Sequence, residues 1–248
     1  MLKPKYENSV EFQVWGDYAL FSDPLTRVGG EKFSYSVPTY EALKGMLHSI
    51  YWKPTFVWVV DSVRIMNPIR MVRKGMRPIK YGGGNDLSYY TYLQNVCYQV
   101  KAHFEWNDNR PELEFDRDEN KHHNIAKRMI KCGGRRDVFL GTRECQAYVQ
   151  PCEFGAGDNN FRGEMQLGIM YHGITYADEA ELDEDKGMMT VRFWNPTMID
   201  GVINFIKPSK CVIKRHIKKM SIKPFERKLE NFVGLKEFEG GEAIELDK

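Results

Sequence analysis

A lysine and two adjacent histidines stand near the middle of the chain, in the segment Glu119-Asn120-Lys121-His122-His123. The lysine carries a positive charge that suits a phosphate, and a histidine titrates near neutral pH and can transfer a proton. The segment falls at the start of a predicted helix, where backbone N–H groups and the positive end of the helix dipole favour an anion. This combination suits cleavage of RNA without a metal ion.

Such cleavage requires three events: the 2′-hydroxyl loses a proton, the charged phosphorane is stabilised, and the 5′-oxygen gains a proton. The same residues are also compatible with an ordinary solvated helix start that carries two surface histidines. Adjacent histidines at a helix start point in different directions, and no third ligand follows at helical spacing. The sequence therefore predicts no metal site here.

Two further segments have side chains that suit RNA chemistry. Tyr51 follows the first predicted helix and could reach the second helix, since both pack on the same face of a sheet; alternatively, it anchors a helix end. Gly133-Gly134-Arg135-Arg136 combines backbone freedom with two guanidinium groups that bind phosphate, or it is a helix stop followed by a solvated loop. Neither this segment nor Gly82-Gly83-Gly84 has the spacing of a nucleotide-binding loop, so we expect no cofactor.

The charge distribution divides the chain more than its net charge of +2 suggests. Residues 62–85 and 207–228 are strongly basic, whereas residues 178–185 are acidic. Such a distribution could follow the phosphates of a nucleic acid, or it could belong to a solvated loop and tail. The five cysteines include no C-x-x-C pair and the chain has no run of about 20 apolar residues, so we expect reduced thiols, a cytoplasmic location and no membrane contact.

Hydrophobic periodicity predicts an α+β fold. A strand through Val10, Phe12 and Val14 precedes a helix that Pro38 and Thr39 open, and a buried strand covers residues 56–60. The clearest strand covers residues 96–106, Asn120 is expected to cap a second helix, and a last strand lies near residues 145–149. This order, strand-helix-strand-strand-helix-strand, is the ferredoxin-like βαββαβ pattern of RRM-type domains.

The predicted domain organisation has two parts. Residues 1–160 form the ferredoxin-like domain, with an irregular insertion of some β content at about residues 62–95. Residues 161–248 form a small β-rich C-terminal subdomain and tail, with a strand at residues 167–176 and a hairpin that joins residues 190–194 to residues 202–205. We expect a small antiparallel sheet appended to the main domain.

Six sequence strings, long and in consistent order, resemble the CRISPR-associated Cas-five family in its type I-C (Dvulg) form. They are FQVWGDYALFSDP (12–24), GGEKFSYSVPTYEAL (29–43), IYWKPT (50–55), PIKYGGG (78–84), KHH (121–123) and GGRRDVFLGTRECQAYVQPCEFG (133–155). The resemblance covers roughly residues 8–215 and matches loosely after about residue 225.

The resemblance implies a metal-independent endoribonuclease that cleaves CRISPR repeat RNA at the base of its hairpin, leaving a 2′,3′-cyclic phosphate and a 5′-hydroxyl. It implies that the enzyme then holds the 5′ handle of the guide RNA, among the other subunits of the type I-C effector complex. The family's catalytic tyrosine, lysine and histidine match Tyr51, Lys121 and His122. By chemistry, Lys121 would stabilise the phosphorane, His122 would protonate the 5′-oxygen, and Tyr51 would orient or help to deprotonate the 2′-hydroxyl.

The expected RNA contacts are basic residues near these motifs. Arg27, Lys32, Arg135 and Arg136 each lie in a glycine-bearing loop inside the matching strings, and His123 adjoins the catalytic pair. Two other functions remain open: a subunit that caps the guide RNA without cutting it, and a metal-dependent nuclease that acts on DNA, with contact to DNA. An unrelated ferredoxin-like scaffold is the third alternative.

Overall fold

The computed structural model describes residues 7–24, 26 and 30–222, which form two α-helices and thirteen strands. The helices are α1 (Tyr40–Ile50) and α2 (Glu119–Lys131). The strands are β1 (Val10–Ala19), β2 (Lys32–Phe33), β3 (Phe56–Ile65), β4 (Met71–Met76), β5 (Ser88–Trp106), β6 (Val138–Phe139), β7 (Gln146–Pro151), β8 (Glu164–Gln166), β9 (Met170–Thr175), β10 (Met188–Trp194), β11 (Thr197–Ile199), β12 (Val202–Asn204) and β13 (Ile213–Lys219). Short 3-10 helices at Pro111–Asp116, Ala177–Glu179, Asp183–Asp185 and Pro208–Lys210 connect them.

The main sheet is mixed but mostly antiparallel. Its path runs β6-β7-β1-β5-β3-β12-β11-β8, with β2 and β4 pairing separately with β5, β2 in parallel. At its centre, β7, β1, β5 and β3 are adjacent in that order, and α1 and α2 are the connections that follow β1 and β5. The two helices therefore pack on the same sheet, and the main core lies between the helices and the sheet.

The elements that frame the core follow the predicted periodicities. Val10, Phe12 and Val14 are buried on one face of β1, as the alternation predicted. Helix α1 begins after Thr39, whose hydroxyl accepts a hydrogen bond from the backbone N–H of Ala42, and its apolar side enters the core through Leu43 and Leu47. Neither helix is long and apolar enough to cross a membrane, within the part of the chain that the structure describes.

The predicted cap of α2 was wrong by two residues. The helix begins at Glu119, and the cap is Asp118, whose Oδ1 accepts a hydrogen bond from the backbone N–H of Lys121 at 3.0 Å. An N-cap side chain bonds the N–H two or three residues later, and Asp118 has this spacing to Lys121. Asn120 therefore lies inside the first turn.

The expected insertion is a long two-stranded extension of the sheet. Strand β5 begins at Ser88 rather than near Val96, and residues Ser88–Leu93 pair with Met71–Met76 of β4. Three cations lie over tyrosine rings there: Lys32 over Tyr90, Arg73 over Tyr89 and Lys74 over Tyr18. The extension presents a basic and aromatic surface.

The C-terminal β-structure divides between two sheets. Strands β13, β10 and β9 form a separate three-stranded antiparallel sheet, which confirms the expected small sheet. The predicted hairpin between residues 190–194 and 202–205 was wrong: β10 pairs with β9 and β13, whereas β12 pairs with β11 and with β3 of the main sheet. The division into domains at residue 160 stays a prediction, and residues 223–248 lie outside the described residues.

The small sheet docks on α1 through a buried histidine. His172 of β9 stacks on Tyr40 with ring centroids 4.3 Å apart, and its Nε2 lies 3.0 Å from the backbone oxygen of Ile206. That oxygen accepts only, so Nε2 carries the proton. Burial, and then the charge of Arg192, lower the pKa of His172 to about 3. The ring is therefore neutral in the folded protein.

We expect the free energy of unfolding to decrease as the pH is lowered below about 6.5. There the unfolded chain binds a proton at His172 that the folded chain does not, which costs about 1.4 kcal/mol per pH unit, or about 2 kcal/mol between pH 7 and pH 5. Urea unfolding at both pH values measures the loss. The His172→Gln variant should not show the loss of stability that His172 causes. The His216→Gln variant, which removes an exposed histidine of the same sheet, should still show that loss. An undiminished loss in His172→Gln would contradict this assignment.

Candidate active site

Tyr51 and His122 meet between the end of α1 and the start of α2. Tyr51 is the residue after α1, and its backbone N–H donates to Leu47 O at 2.8 Å, which holds its backbone at the end of the helix. His122 lies in the first turn of α2. The Tyr51 hydroxyl is 2.7 Å from His122 Nδ1. The expected reach of Tyr51 across to the second helix is therefore confirmed.

His122 is enclosed rather than solvated. Its exposed fraction is 0%, and the rings of Phe56, Phe104 and Trp106 surround it with centroid distances of 5.3, 6.3 and 5.8 Å. The alternative of two surface histidines at a solvated helix start was wrong for this residue. A substrate can approach His122 only through the groups that cover it.

The hydrogen bonds of His122 determine which nitrogen carries the proton. Nε2 is 2.7 Å from the backbone carbonyl oxygen of Asp116, and a carbonyl oxygen only accepts. Nε2 of the neutral ring therefore carries the hydrogen, and Nδ1 accepts from the Tyr51 hydroxyl. In this arrangement His122 is ready to receive a proton that passes through Tyr51.

Tyr51, His122 and Asp116 form a cluster, and Lys121 lies at its solvent side. Its side chain is 46% exposed, and its Nζ lies 2.5 Å from Asp116 Oδ1. Asp116 Oδ2 accepts a hydrogen bond from Thr55 Oγ1 at 2.8 Å and is 3.5 Å from His122 Nε2. One carboxylate thus joins the exposed cation to the buried imidazole.

Two groups of the cluster have shifted pKa values. Burial raises the pKa of Tyr51 to about 12, with a further rise from the charge of Asp116 and an opposing effect from Arg135. Burial opposes ionisation of Asp116, but hydrogen bonds from Lys121 and Thr55 and the nearby His122 hold its pKa below the usual value. At neutral pH the phenol is therefore protonated and the carboxylate is charged.

Sequence reasoning missed Asp116 and Thr55. Asp116 ends the 3-10 helix Pro111–Asp116, and it joins the cluster through its backbone oxygen, which lies against His122, and its carboxylate, which lies against Lys121 and Thr55. Thr55 lies at the end of the IYWKPT string and was not singled out. An acidic residue five positions before a candidate lysine is the one signal that the sequence offered, and it is weak.

The predicted RNA contacts lie in different places. His123 points away from Tyr51, and its Nε2 is 3.1 Å from the backbone oxygen of Ser9. Lys32 lies over Tyr90, which is 16 residues before Trp106 in β5, about 50 Å along the strand from His122. The structure does not bring Lys32 to the cluster around His122.

The arginine loop does adjoin the cluster. The backbone N–H of Arg135 donates to Ile50 O at 3.1 Å, and that of Arg136 donates to Ser49 O at 3.0 Å, so the loop is held against the end of α1. Arg27 lies outside the described residues. The RNA contacts of all five residues stay predictions. Within the described ranges no group of three or more His, Cys, Asp or Glu side chains could hold a metal ion.

The fold and the cluster define an α+β protein with a buried tyrosine–histidine pair beside an exposed lysine. Residues 9–206 match the sequence model of the family described as CRISPR-associated protein (Cas_Cas5). The chain belongs to this CRISPR-associated family.

Individual relatives agree with the family match. The chain is 29% identical over 196 residues to a Thermus thermophilus protein named CRISPR pre-crRNA endoribonuclease Cas5d, an alignment that covers 75% of this chain and 80% of that protein. A protein of the same name from Mannheimia succiniciproducens is 43% identical over 63 residues, which are 25% of this chain and 27% of that one. A solved structure described as a crystal structure of a CRISPR-associated protein has a TM-score of 0.70 and 36% identity, and the match covers 84% of this chain and 96% of that one.

Proposed function

We propose that the protein is a metal-independent endoribonuclease that cleaves CRISPR repeat RNA at the base of its hairpin. The observation that carries the proposal is the contact of Tyr51 with a buried His122 whose Nδ1 can accept a proton, beside the exposed Lys121. Membership of the family and similarity to a relative named pre-crRNA endoribonuclease support RNA as the substrate.

The reaction begins with the 2′-hydroxyl of the nucleotide before the cut. Its proton passes to the Tyr51 oxygen while the Tyr51 proton passes to His122 Nδ1, and the 2′-oxygen forms a bond to the adjacent phosphorus. With a pKa of about 12, Tyr51 acts as a protonated relay and not as a standing phenolate. The resulting imidazolium is stabilised by the Asp116 carbonyl and carboxylate oxygens at 2.7 and 3.5 Å.

The second half of the reaction expels the 5′-oxygen. The bond from phosphorus to this oxygen breaks, which leaves a 2′,3′-cyclic phosphate on one product and a 5′-hydroxyl on the other. The Lys121 ammonium stabilises the charge on the phosphorane and gives the 5′-oxygen its proton. Because the Lys121 side chain is exposed, it can leave Asp116 for the phosphate, and the freed carboxylate then faces the imidazolium.

This assignment makes His122 a base, whereas the chemistry considered from the sequence made it the acid. Both assignments require His122 for cleavage, and the dependence of rate on pH separates them. A base starts the reaction as neutral imidazole, so the rate of cleavage rises with increasing pH. An acid starts it as imidazolium, and the rate would then fall with increasing pH.

The finer features of the function are also proposals. The order β7-β1-β5-β3 with α1 and α2 supports a ferredoxin-like, RRM-type main domain. We propose that the protein works in the cytoplasm, belongs to the type I-C system and holds the 5′ handle of the guide RNA among the other effector subunits. The basic β4–β5 extension supports a role in contacting RNA or those subunits.

Cleavage in the presence of excess EDTA tests the proposal. We expect purified protein to cut a labelled repeat hairpin once, at the base of the stem, and to leave a cyclic-phosphate end. The matched control is the same RNA with one 2′-deoxy nucleotide before the cut, which lacks the nucleophile and should stay intact. Cleavage only after addition of Mg²⁺ would indicate a metal-dependent nuclease, and tight binding without cleavage would indicate a subunit that caps the guide RNA.

A further inference from the structure

An aromatic pair lies on the sheet face that points away from the helices. Trp15 of β1 and Tyr148 of β7 are directly opposite in the strand register, with ring centroids 5.9 Å apart. Their neighbours Val14 and Val149 face the core, so the alternation of the strands puts the two rings on the other face. Tyr148 is 57% exposed, whereas Trp15 is half-buried. Tyr148 therefore presents its ring to solvent, and the ring of Trp15 packs beside it.

The loop after α2 lies beside this pair and has a fixed backbone. Arg135 and Arg136 use their N–H groups to bind the end of α1, and both residues are exposed. Gly134 has φ of +114°, and a Cβ there would lie 2.9 Å from the Arg136 carbonyl oxygen. Glycine is therefore required for the turn that brings two guanidinium groups to the sheet edge.

Together these elements line a groove of about 450 Å³ at the edge of β7. Trp15 and Tyr148 line it together with residues 132–138 of the loop after α2. The exposed Gln146 and Gln150 offer amide donors and acceptors, and Asp137 is the acid among the described residues that line the groove. The groove thus combines a flat aromatic surface, cations and hydrogen-bonding amides, which are the groups that contact a base and its phosphate.

We propose that this groove binds one unpaired nucleotide of the repeat RNA, with its base stacked on Tyr148 and its phosphate held by Arg135 and Arg136. RNA as the ligand rests on the proposed function. A base inside a duplex has no free face, so the nucleotide must be single-stranded. Arg135 is bonded to Ile50, the residue before Tyr51, so the groove adjoins the catalytic cluster. The stacked nucleotide therefore flanks the cleaved phosphate and contributes to holding the product.

Three substitutions at Tyr148 separate stacking from other contributions. Tyr148→Phe keeps the ring, Tyr148→Leu keeps an apolar side chain without a ring, and Tyr148→Ala removes both. We expect the leucine and alanine variants to bind the repeat RNA and its cleaved product about tenfold more weakly, a change that corresponds to about 1.4 kcal/mol. The phenylalanine variant should bind like the native protein. Because Tyr148 is largely exposed, unchanged melting temperatures are expected for all three.

A fluorescent base locates the nucleotide. In repeat RNAs that carry 2-aminopurine at one unpaired position at a time, stacking should quench the fluorescence at a single position. This quenching should occur with native protein and Tyr148→Phe, and it should be absent with Tyr148→Leu and Tyr148→Ala.

The outcomes distinguish this inference from the proposed function. If native protein cleaves the RNA and all three variants bind it equally, the stacking site is overturned and the endonuclease stands. If native protein binds without cleaving and affinity still depends on the ring, the site stands and the endonuclease fails. If the substitutions weaken only association with other protein subunits, the groove is a protein interface and the inference is overturned.

Discussion

Replacement of His122 by alanine is expected to lower the single-turnover rate of RNA cleavage by about 10²- to 10⁴-fold, the usual contribution of a positioned acid–base group. The ring is the only group within 2.7 Å of both the Tyr51 hydroxyl and the Asp116 carbonyl among the described hydrogen bonds, so its loss removes the proton acceptor. Affinity for the repeat RNA should change little, because His122 is fully buried and cannot touch the RNA backbone. A single-turnover assay beside a binding titration measures both quantities.

The matched control for this experiment is His123→Ala. His123 is the next residue of the same helix, but its ring bonds the Ser9 carbonyl on the other side, so at saturating protein cleavage should continue near the native rate. Loss of its predicted RNA contact would change affinity and not this rate. Loss of the enclosed His122 ring also leaves a cavity and is expected to cost a few kcal/mol of stability. The assay therefore runs well below the melting temperature of the variant. Added imidazole can enter that cavity and should restore part of the rate. Full cleavage by folded His122→Ala would contradict the assignment.

The sequence predicted most of the central fold because each central element has one buried face. Val10, Phe12 and Val14 alternate with half-buried residues, and the apolar positions of α1 recur at helical spacing. The β4–β5 extension was harder to predict. Its strands have no fully packed face, and β4 alternates only between exposed and half-buried side chains. The hydrophobicity of such a strand hardly alternates from residue to residue. The sequence therefore predicted only some β content in this segment.

Predicting where a strand occurs is a different problem from predicting which strand it pairs with. Ile203 is buried within β12, and the local pattern indicates a half-buried strand there. The same pattern does not say which strand lies alongside. Short connections favour a strand nearby in the chain, and β12 does pair with β11, which directly precedes it. Its other partner is not β10 but β3, about 140 residues earlier in the chain, through residues such as Ile203 and Val63. Long-range packing decided the pairing, and this packing has no local signal.

The candidate site shows the same division. Lys121 and His122 were singled out by their types and position, and Tyr51 by its place after the first predicted helix; the resemblance supplied their catalytic assignment. The burial of His122 depends on three rings from β3 and β5, which no local window contains. Asp116 enters through its backbone oxygen as well as its carboxylate, and a backbone contact leaves no mark on residue type. These two features orient the imidazole of the lysine–histidine motif so that its Nδ1 faces the Tyr51 hydroxyl.

Replacement of Tyr51 by phenylalanine is expected to reduce cleavage as strongly as loss of His122, by about 10²- to 10⁴-fold, although it removes a single oxygen atom. The hydroxyl is the group through which the buried Nδ1 can receive the proton of the 2′-hydroxyl. Its removal also leaves that nitrogen without a donor, at a cost of roughly 1–3 kcal/mol in stability. Single-turnover rates and urea unfolding of the variant measure the two effects.

Tyr92→Phe is the matched control, since Tyr92 is also buried and its hydroxyl bonds a side chain, Glu144, at 3.2 Å. That variant should lose comparable stability and keep its cleavage rate. Because the pKa of Tyr51 is about 12, the native rate should show no ionisation of this phenol between pH 6 and pH 9, and the phenolate is not the species that reacts. Native-like cleavage by Tyr51→Phe would mean that the 2′-hydroxyl loses its proton by another route, and His122 would then be left to act as the acid.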